Sequence, residues 1–118
     1  MANGRNSDVV VASSGNVFAD LGLRDASEKQ TRVRLAVAVN RIIGAQRLSQ
    51  NKAARLLGIN QPKVSALANY RLEGFSVERL MHFLNALDRD VEIVIRKKPR
   101  SRKSARIVVT ASALSAAV

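Results

Sequence analysis

The polar residues best suited to chemistry stand along one short segment whose other residues are mostly apolar or small. Gln61, Lys63 and Ser65 alternate at its start, and Asn69 stands near its end. A glutamine amide can both donate to and accept from the N6 and N7 atoms of adenine, and a lysine ammonium suits guanine O6 or N7. We therefore predict that these four residues read base edges, although Gln61 and Lys63 would also suit a solvated first helical turn.

A second group of polar residues flanks the first and suits the phosphate backbone better than the bases. Gln50 would begin the helix that precedes the reading segment, and three further residues with cationic or hydroxyl groups lie nearby: Ser49, Lys52 and Arg71. Phosphate contacts set register and affinity rather than sequence preference. We predict phosphate contacts for all four residues.

Two short amphipathic segments hinged at a glycine must position these side chains. Ser49 is a suitable N-cap for the first segment, and Asn60 is one for the second. Gly58 between them supplies a sharp turn, because glycine readily adopts positive φ. Ala54 allows the two helices to cross closely, and the apolar residues that would fasten them to a core are Leu57, Ile59, Val64 and Leu67. This pattern predicts a helix-turn-helix unit, whose second helix lies in the major groove of duplex DNA.

Three further helices are predicted around this unit. Val17, Phe18 and Leu21 suit a single helical turn that stops at Gly22. A long apolar stripe predicts a helix over residues 27–46, and another predicts a helix that begins after Ser76. The expected fold is all-α, with five helices and one C-terminal β-strand.

The strand is predicted for residues 90–96, where β-branched residues appear with a period of two. A single strand leaves backbone N–H and C=O groups unpaired, and the sequence contains no second convincing strand. Pairing with the same strand of another copy would satisfy these groups. We therefore expect a homodimer with an interface formed by Val91, Ile93, Val94 and Ile95.

Charge and length divide the chain into three expected parts. The 118 residues carry a net charge of +11, which favours a polyanionic partner. Residues 1–15 are predicted to be flexible, residues 16–98 to form one domain, and residues 99–118 to be a disordered basic tail. Seven basic residues and no acidic residue follow Asp90–Ile95. The tail would serve as a nonspecific DNA arm, as a contact for a partner, or only as a solubilising end.

Several classes of function are not expected. Cysteine is absent, which excludes disulfides and thiolate ligands and fits a reducing cytoplasm. His82 is the only histidine, and no second metal ligand stands near it in the pattern. Neither a glycine-rich phosphate loop nor a catalytic constellation is present. We expect a cytoplasmic protein without enzyme activity, metal, cofactor, export signal or membrane-spanning segment.

The central segment resembles the helix-turn-helix of Cro and phage repressors in the Xre family, with a lambda-repressor-like fold. The matching residues are Gln50, Ala54, Leu57, Gly58, Ile59, Gln61, Val64, Ser65 and Leu67. A wider stretch, residues 16–96, is similar to HigA-type antitoxins. The ending at 69–74 departs from the usual Xre pattern, and the basic tail lies outside the resemblance.

This resemblance implies a dimeric repressor of its own operon that binds a roughly palindromic operator and is paired with a RelE-like toxin. It also places Gln50 at a phosphate, and Gln61, Lys63 and Ser65 near base edges. The leading hypothesis is therefore a sequence-specific DNA-binding repressor, an antitoxin in particular. The alternative is a protein-interaction module that mainly neutralises a toxin, with DNA binding secondary.

Overall fold

The described part of the chain folds into four helices. A computed structural model describes the backbone of residues 17–111 and the side chains of residues 26–111. The helices are α1 (Val17–Ala45), α2 (Gln50–Leu57), α3 (Gln61–Ala68) and α4 (Val77–Ala86). Helix α1 packs mainly on α4, and α2 packs mainly on α3. The predicted flexible segment 1–15 and the last seven residues lie outside the described residues.

The expectation of five helices is wrong, because the first two predicted helices are one. Helix α1 runs through Gly22 and Ser27, the residues predicted to stop one helix and to cap the next. Glycine lowers helix stability by only about 1 kcal/mol, so a single glycine does not break a long helix. The Ser27 carbonyl accepts a hydrogen bond from the Thr31 hydroxyl at 2.9 Å, one turn later. Ser27 is therefore an interior helical residue.

The predicted C-terminal strand is also absent from the described part of the chain. Residues 90–96 contain neither helix nor strand, and the described residues 17–111 contain no β-ladder. The residue types in this segment alternate as they do in a half-buried strand. The side chains of Ile93, Val94 and Ile95 are nevertheless all mostly exposed. A strand forms only when a neighbour pairs with its N–H and C=O groups, and residues 17–111 provide no such neighbour.

The core lies between α1 and α4 and is closed by the carboxyl ends of α2 and α3. Its fully buried large side chains are Val39 and Ile42 from α1, Leu67 from α3 and Leu80 from α4. Phe75 and Phe83 meet edge to face with ring centroids 5.8 Å apart. This geometry is favourable for aromatic pairs beyond the area that they bury. Helix α3 is thus held by the same core as the long helix α1.

Helices α1 and α2 both end in a left-handed residue. Arg47 has φ 54° and Gly58 has φ 70°. After α1, the Leu48 N–H donates to the Ile43 carbonyl at 3.0 Å, and after α2 the Ile59 N–H donates to the Ala54 carbonyl at 3.0 Å. This arrangement satisfies carbonyls that the helix itself leaves unpaired. It also fixes the tight connection between α2 and α3 that the sequence predicts at Gly58.

Gly58→Ala is expected to lower the free energy of unfolding by about 1–2 kcal/mol, since a Cβ is strained in the left-handed conformation. An added Cβ at Gly58 meets no atom within 4 Å, so the cost lies in the backbone alone. Urea denaturation measures the change. Gly44→Ala is the matched control: this glycine lies inside α1 with equal free space. It should stabilise the protein by about 0.5 kcal/mol, and two changes of the same sign would contradict the account.

No helix in the described part of the chain is long and apolar enough to cross a membrane.

Candidate nucleic-acid interface

Side-chain caps set where α2 and α3 begin. The Ser49 hydroxyl accepts a hydrogen bond from the Lys52 backbone N–H at 3.1 Å, and Asn60 Oδ1 accepts one from the Lys63 N–H at 2.9 Å. Such caps satisfy N–H groups that lack a partner within the helix. Pro62 lies in the first turn of α3, where its missing N–H is not needed. The predicted capping roles of Ser49 and Asn60 are therefore confirmed.

A small apolar cluster fastens α2 to α3. Ala53 and Ala54 of α2 pack against Val64 of α3, and Ile43, Leu48 and Ile59 lie around them. The two alanines allow a close approach of the helix backbones. Four residues of the unit were predicted to face the core. Leu57, Val64 and Leu67 are buried, and Ile59 is half-buried. This packing leaves the amino ends of both helices on the surface.

Gln61, a predicted base reader, forms a hydrogen bond with Gln50, a predicted phosphate contact. Gln61 Nε2 donates to Gln50 Oε1 at 3.3 Å, and both side chains are exposed. The Oε1 acceptor of Gln61 and the Nε2 donor of Gln50 have no protein partner among the described residues. A glutamine held by such a contact loses less freedom when it binds a base edge. The pair therefore forms a prepared polar surface across the two amino ends.

The other three predicted base readers lie in different environments. The Lys63 ammonium lies 5.8 Å from the centroid of the Phe75 ring, and its side chain is half-buried. A cation–π contact between a half-buried lysine and a buried ring stabilises by about 0.5–2 kcal/mol, so the flexible lysine can leave the ring at modest cost. Ser65 is half-buried in the middle of α3. Asn69 Nδ2 donates to the Ser65 carbonyl at 2.9 Å, which leaves Asn69 Oδ1 as its available acceptor.

The predicted phosphate contacts divide between the two ends of the unit. Ser49, Gln50 and Lys52 are exposed at the start of α2, close to Gln61. Arg71 is exposed beyond the end of α3, together with Asn69. Eight residues separate Gln61 from Asn69, or about 12 Å of helix. The structure thus brings Gln50 and Gln61 together and places Asn69 and Arg71 at the opposite end.

Asn40, which the sequence pattern did not indicate, supports α3, the second helix of the unit and therefore its recognition helix. Asn40 Nδ2 of α1 donates to the Leu67 carbonyl at 3.1 Å, at the carboxyl end of α3. That carbonyl lacks an N–H partner within the helix and also accepts a hydrogen bond from the Tyr70 N–H at 3.1 Å. A polar residue directly after the buried Val39, within an otherwise apolar face, is the signal that could have found it.

The charge pattern of the unit suits a polyanion. Residues 29–72 contain nine basic residues and no acidic residue. The described acidic residues after this stretch lie in residues 73–92, which include α4. A surface that carries one sign of charge raises the local concentration of oppositely charged partners. Among residues 26–111, no cluster of histidine and carboxylate side chains is suitable for a metal ion.

Comparisons with known proteins agree with this geometry. Residues 17–96 match the sequence profile of a helix-turn-helix domain family. A solved chain described as an XRE family transcriptional regulator is 72% identical, with a TM-score of 0.73; the match covers 75% of this chain and 99% of that one. No curated protein matches the chain. The chain therefore belongs to the helix-turn-helix domain family, among the DNA-binding transcriptional regulators of the XRE type.

Proposed function

We propose that the protein is a sequence-specific repressor that places the amino end of α3 in the major groove. Gln61, Lys63, Ser65 and Asn69 would read base edges in this arrangement. The contact between Gln50 and Gln61 is the observation that supports the proposal, because it joins a predicted phosphate ligand to a predicted base reader at 3.3 Å. The remaining phosphate ligands would be Ser49, Lys52 and Arg71.

The exposed surface of α3 supports this orientation. The buried side chains of α3 are Val64 and Leu67, which face the core. Gln61 is exposed, and Lys63 and Ser65 are half-buried at the edge of that surface. An α-helix fits the major groove, where each base pair presents a distinct pattern of donors and acceptors. The polar side of α3 therefore has the size and chemistry for direct readout.

Selection of duplexes from a randomised pool by the full chain tests the proposal. Specific binding predicts an enriched motif whose affinity exceeds that of a scrambled duplex by about 10³-fold or more at physiological salt. Enrichment of no motif, with equal affinity for all duplexes, would contradict sequence-specific repression. The selected duplex also supplies the probe for the variants described below.

The proposed repressor acts as a homodimer through Val91, Ile93, Val94 and Ile95. Val91 packs partly against the core, whereas Ile93 is 76% exposed and Ile95 is 92% exposed. Apolar residues scattered singly on a surface are ordinary, whereas three consecutive exposed β-branched residues form an apolar patch that a second copy would cover. The dimer rests on packing of these side chains and requires no β-ladder. It would place two copies of α3 about one helical turn of DNA apart, or a multiple of that distance, on a roughly palindromic operator.

The double substitution of Ile93→Asp and Ile95→Asp is expected to convert the dimer into a monomer, because two carboxylates per chain would lie in the interface. Light scattering should give twice 12.8 kDa for the wild-type chain and 12.8 kDa for the variant. Leu56→Asp is the matched control at an exposed leucine on α2, and it should remain dimeric. A wild-type monomer, or a variant that still dimerises, would contradict this interface.

We further propose that this repressor is an antitoxin, which represses its own operon and binds a RelE-like toxin. The resemblance of residues 16–96 to HigA-type antitoxins supports it. The alternative, a module that mainly neutralises a toxin, places the important contacts outside α3. Native mass spectrometry after co-expression with the product of the neighbouring gene tests both. A complex that retains operator binding favours the antitoxin repressor; a complex without operator binding favours the alternative; no complex contradicts both.

A further inference from the structure

The C-terminal segment leaves the core and returns to it. Val91 and Val109 are both partly buried against the main core. Between them, every residue from 92 to 108 is exposed except Lys98 and Arg102, which are half-buried. We name residues 92–108 the basic arm. Because both ends are anchored, the arm starts and finishes at fixed positions on the domain.

A turn at the tip of the basic arm is closed by its own side chains. The Arg102 N–H donates to the Pro99 carbonyl at 3.3 Å. The Lys98 ammonium donates to the carbonyls of both Pro99 and Arg102. The Lys98 ammonium and the Arg102 backbone therefore hold the turn, and the Arg102 guanidinium donates to the Ser104 carbonyl at 3.4 Å. The remaining cations of the arm are available for a partner. These cations are Arg96, Lys97, Arg100, Lys103 and Arg106.

The returning part of the arm lies beside α1. An open groove of about 380 Å³ is lined by Gln30 and Arg34 of α1 and by residues 106–109. Arg34 and Arg106 thus share one groove, and neither has a carboxylate partner in the described part of the chain. Two neighbouring guanidinium groups repel each other unless an anion lies between them or water screens them. The groove is therefore suited to an anionic group such as a phosphate.

Helix α1 connects this groove to the recognition helix. Asn40 contacts the carboxyl end of α3 through the Leu67 carbonyl. Six residues separate Arg34 from Asn40, which is about 9 Å along the helix axis. From Val91 to the tip near residue 100, a fully extended chain reaches at most about 30 Å, close to one helical turn of DNA. An arm of this length would reach phosphates about one helical turn of DNA from its base.

We propose that the basic arm is a second DNA-binding element, which contacts phosphates flanking the half-site read by α3. The inference rests on the proposed DNA-binding function and adds a separate surface to it. The arm contributes affinity and salt dependence without base preference, because its free groups are cations and phosphates carry no sequence information. DNA is favoured over an acidic protein as the partner. The cations are grouped at a turn, and the segment that carries this turn packs beside α1, which is the helix that supports α3.

The test neutralises three exposed cations together: Arg96→Gln, Arg100→Gln and Lys103→Gln. Affinity is measured from about 50 to 200 mM salt on two probes, the duplex selected by the full chain and a scrambled duplex of equal length. The salt slope should become shallower by about 0.9 per lost phosphate contact, or roughly 2.7 per protomer. For each protomer bound, a fourfold rise in salt should therefore weaken the wild-type protein about 40-fold more than the variant, on both probes; the two arms of a dimer would multiply this effect to roughly 1,800-fold.

A charge-preserving variant is the control: Arg96→Lys, Arg100→Lys and Lys103→Arg should retain the wild-type slope. Trimming the selected duplex to the α3 half-sites should remove the difference between the wild-type protein and the neutral variant. An unchanged slope for the neutral variant, or a loss confined to a protein partner, would overturn the proposal. If the wild-type chain binds all duplexes with equal affinity, the proposed repressor function fails instead. The proposal for the arm is then tested by the salt slope on the scrambled duplex alone.

Discussion

Leu67→Ala is expected to lower the free energy of unfolding by about 3 kcal/mol, within the usual 2–5 kcal/mol for this truncation in a packed core. Leu67 is fully buried and joins α3 to the main core. Its carbonyl also accepts the hydrogen bond from Asn40. The truncation removes apolar contact and leaves a cavity directly beneath the recognition helix. Urea denaturation followed by circular dichroism measures the loss.

Leu56→Ala makes the same chemical change on the outer side of α2 and is the matched control. Leu56 is 45% exposed and lies outside the buried clusters. It should cost less than about 1 kcal/mol, because most of the removed surface is already in water. Equal losses at Leu56 and Leu67 would contradict the assignment of α3 to the core.

Gln61→Ala is expected to weaken binding to the selected duplex by about 1–3 kcal/mol, or roughly 5–150-fold. The free energy of unfolding should change by less than about 0.5 kcal/mol, because Gln61 is exposed and bonds only to another exposed side chain. Affinity for a scrambled duplex should remain close to that of the wild-type protein. An equal loss on both duplexes would exclude Gln61 as a base reader.

A double-mutant cycle with Gln50→Ala determines whether the two glutamines act together. If Gln50 orients Gln61, the double variant should lose less affinity than the sum of the two single variants. Strict additivity would show that the 3.3 Å contact does not prepare the surface for DNA. His82→Ala on α4 is the control, because that side chain is 69% exposed and outside the helix-turn-helix unit. It should leave both affinities unchanged.

The helix-turn-helix unit is the part of the fold that could be predicted from local chemistry. Ser49, Gly58 and Asn60 each have a residue type that matches one local requirement, a cap or a left-handed turn. The apolar residues of the unit follow helical spacing, and their side chains pack in the core. The contact of Gln61 with Gln50 could not be predicted, because it depends on the angle at which α2 and α3 cross.

The expectations failed at the two ends of the described chain. Gly22 and Ser27 are suitable helix boundaries by type, but the helix continues through both. Residues 90–96 have the composition of a strand, but strand formation requires a neighbour that sequence spacing does not reveal. The packing of Val109 beside α1 also joins residues that are far apart in sequence. Local propensity contains no information about such pairs.

Methylation interference on the selected duplex tests most directly whether α3 reads the major groove. Guanine N7 lies in the major groove, whereas adenine N3 lies in the minor groove. The account predicts that methyl groups at guanine N7 within the half-sites prevent binding and that methyl groups at adenine N3 there do not. Interference from adenine N3 alone, or from neither position, would contradict the placement of Gln61 and Lys63 at base edges in the major groove.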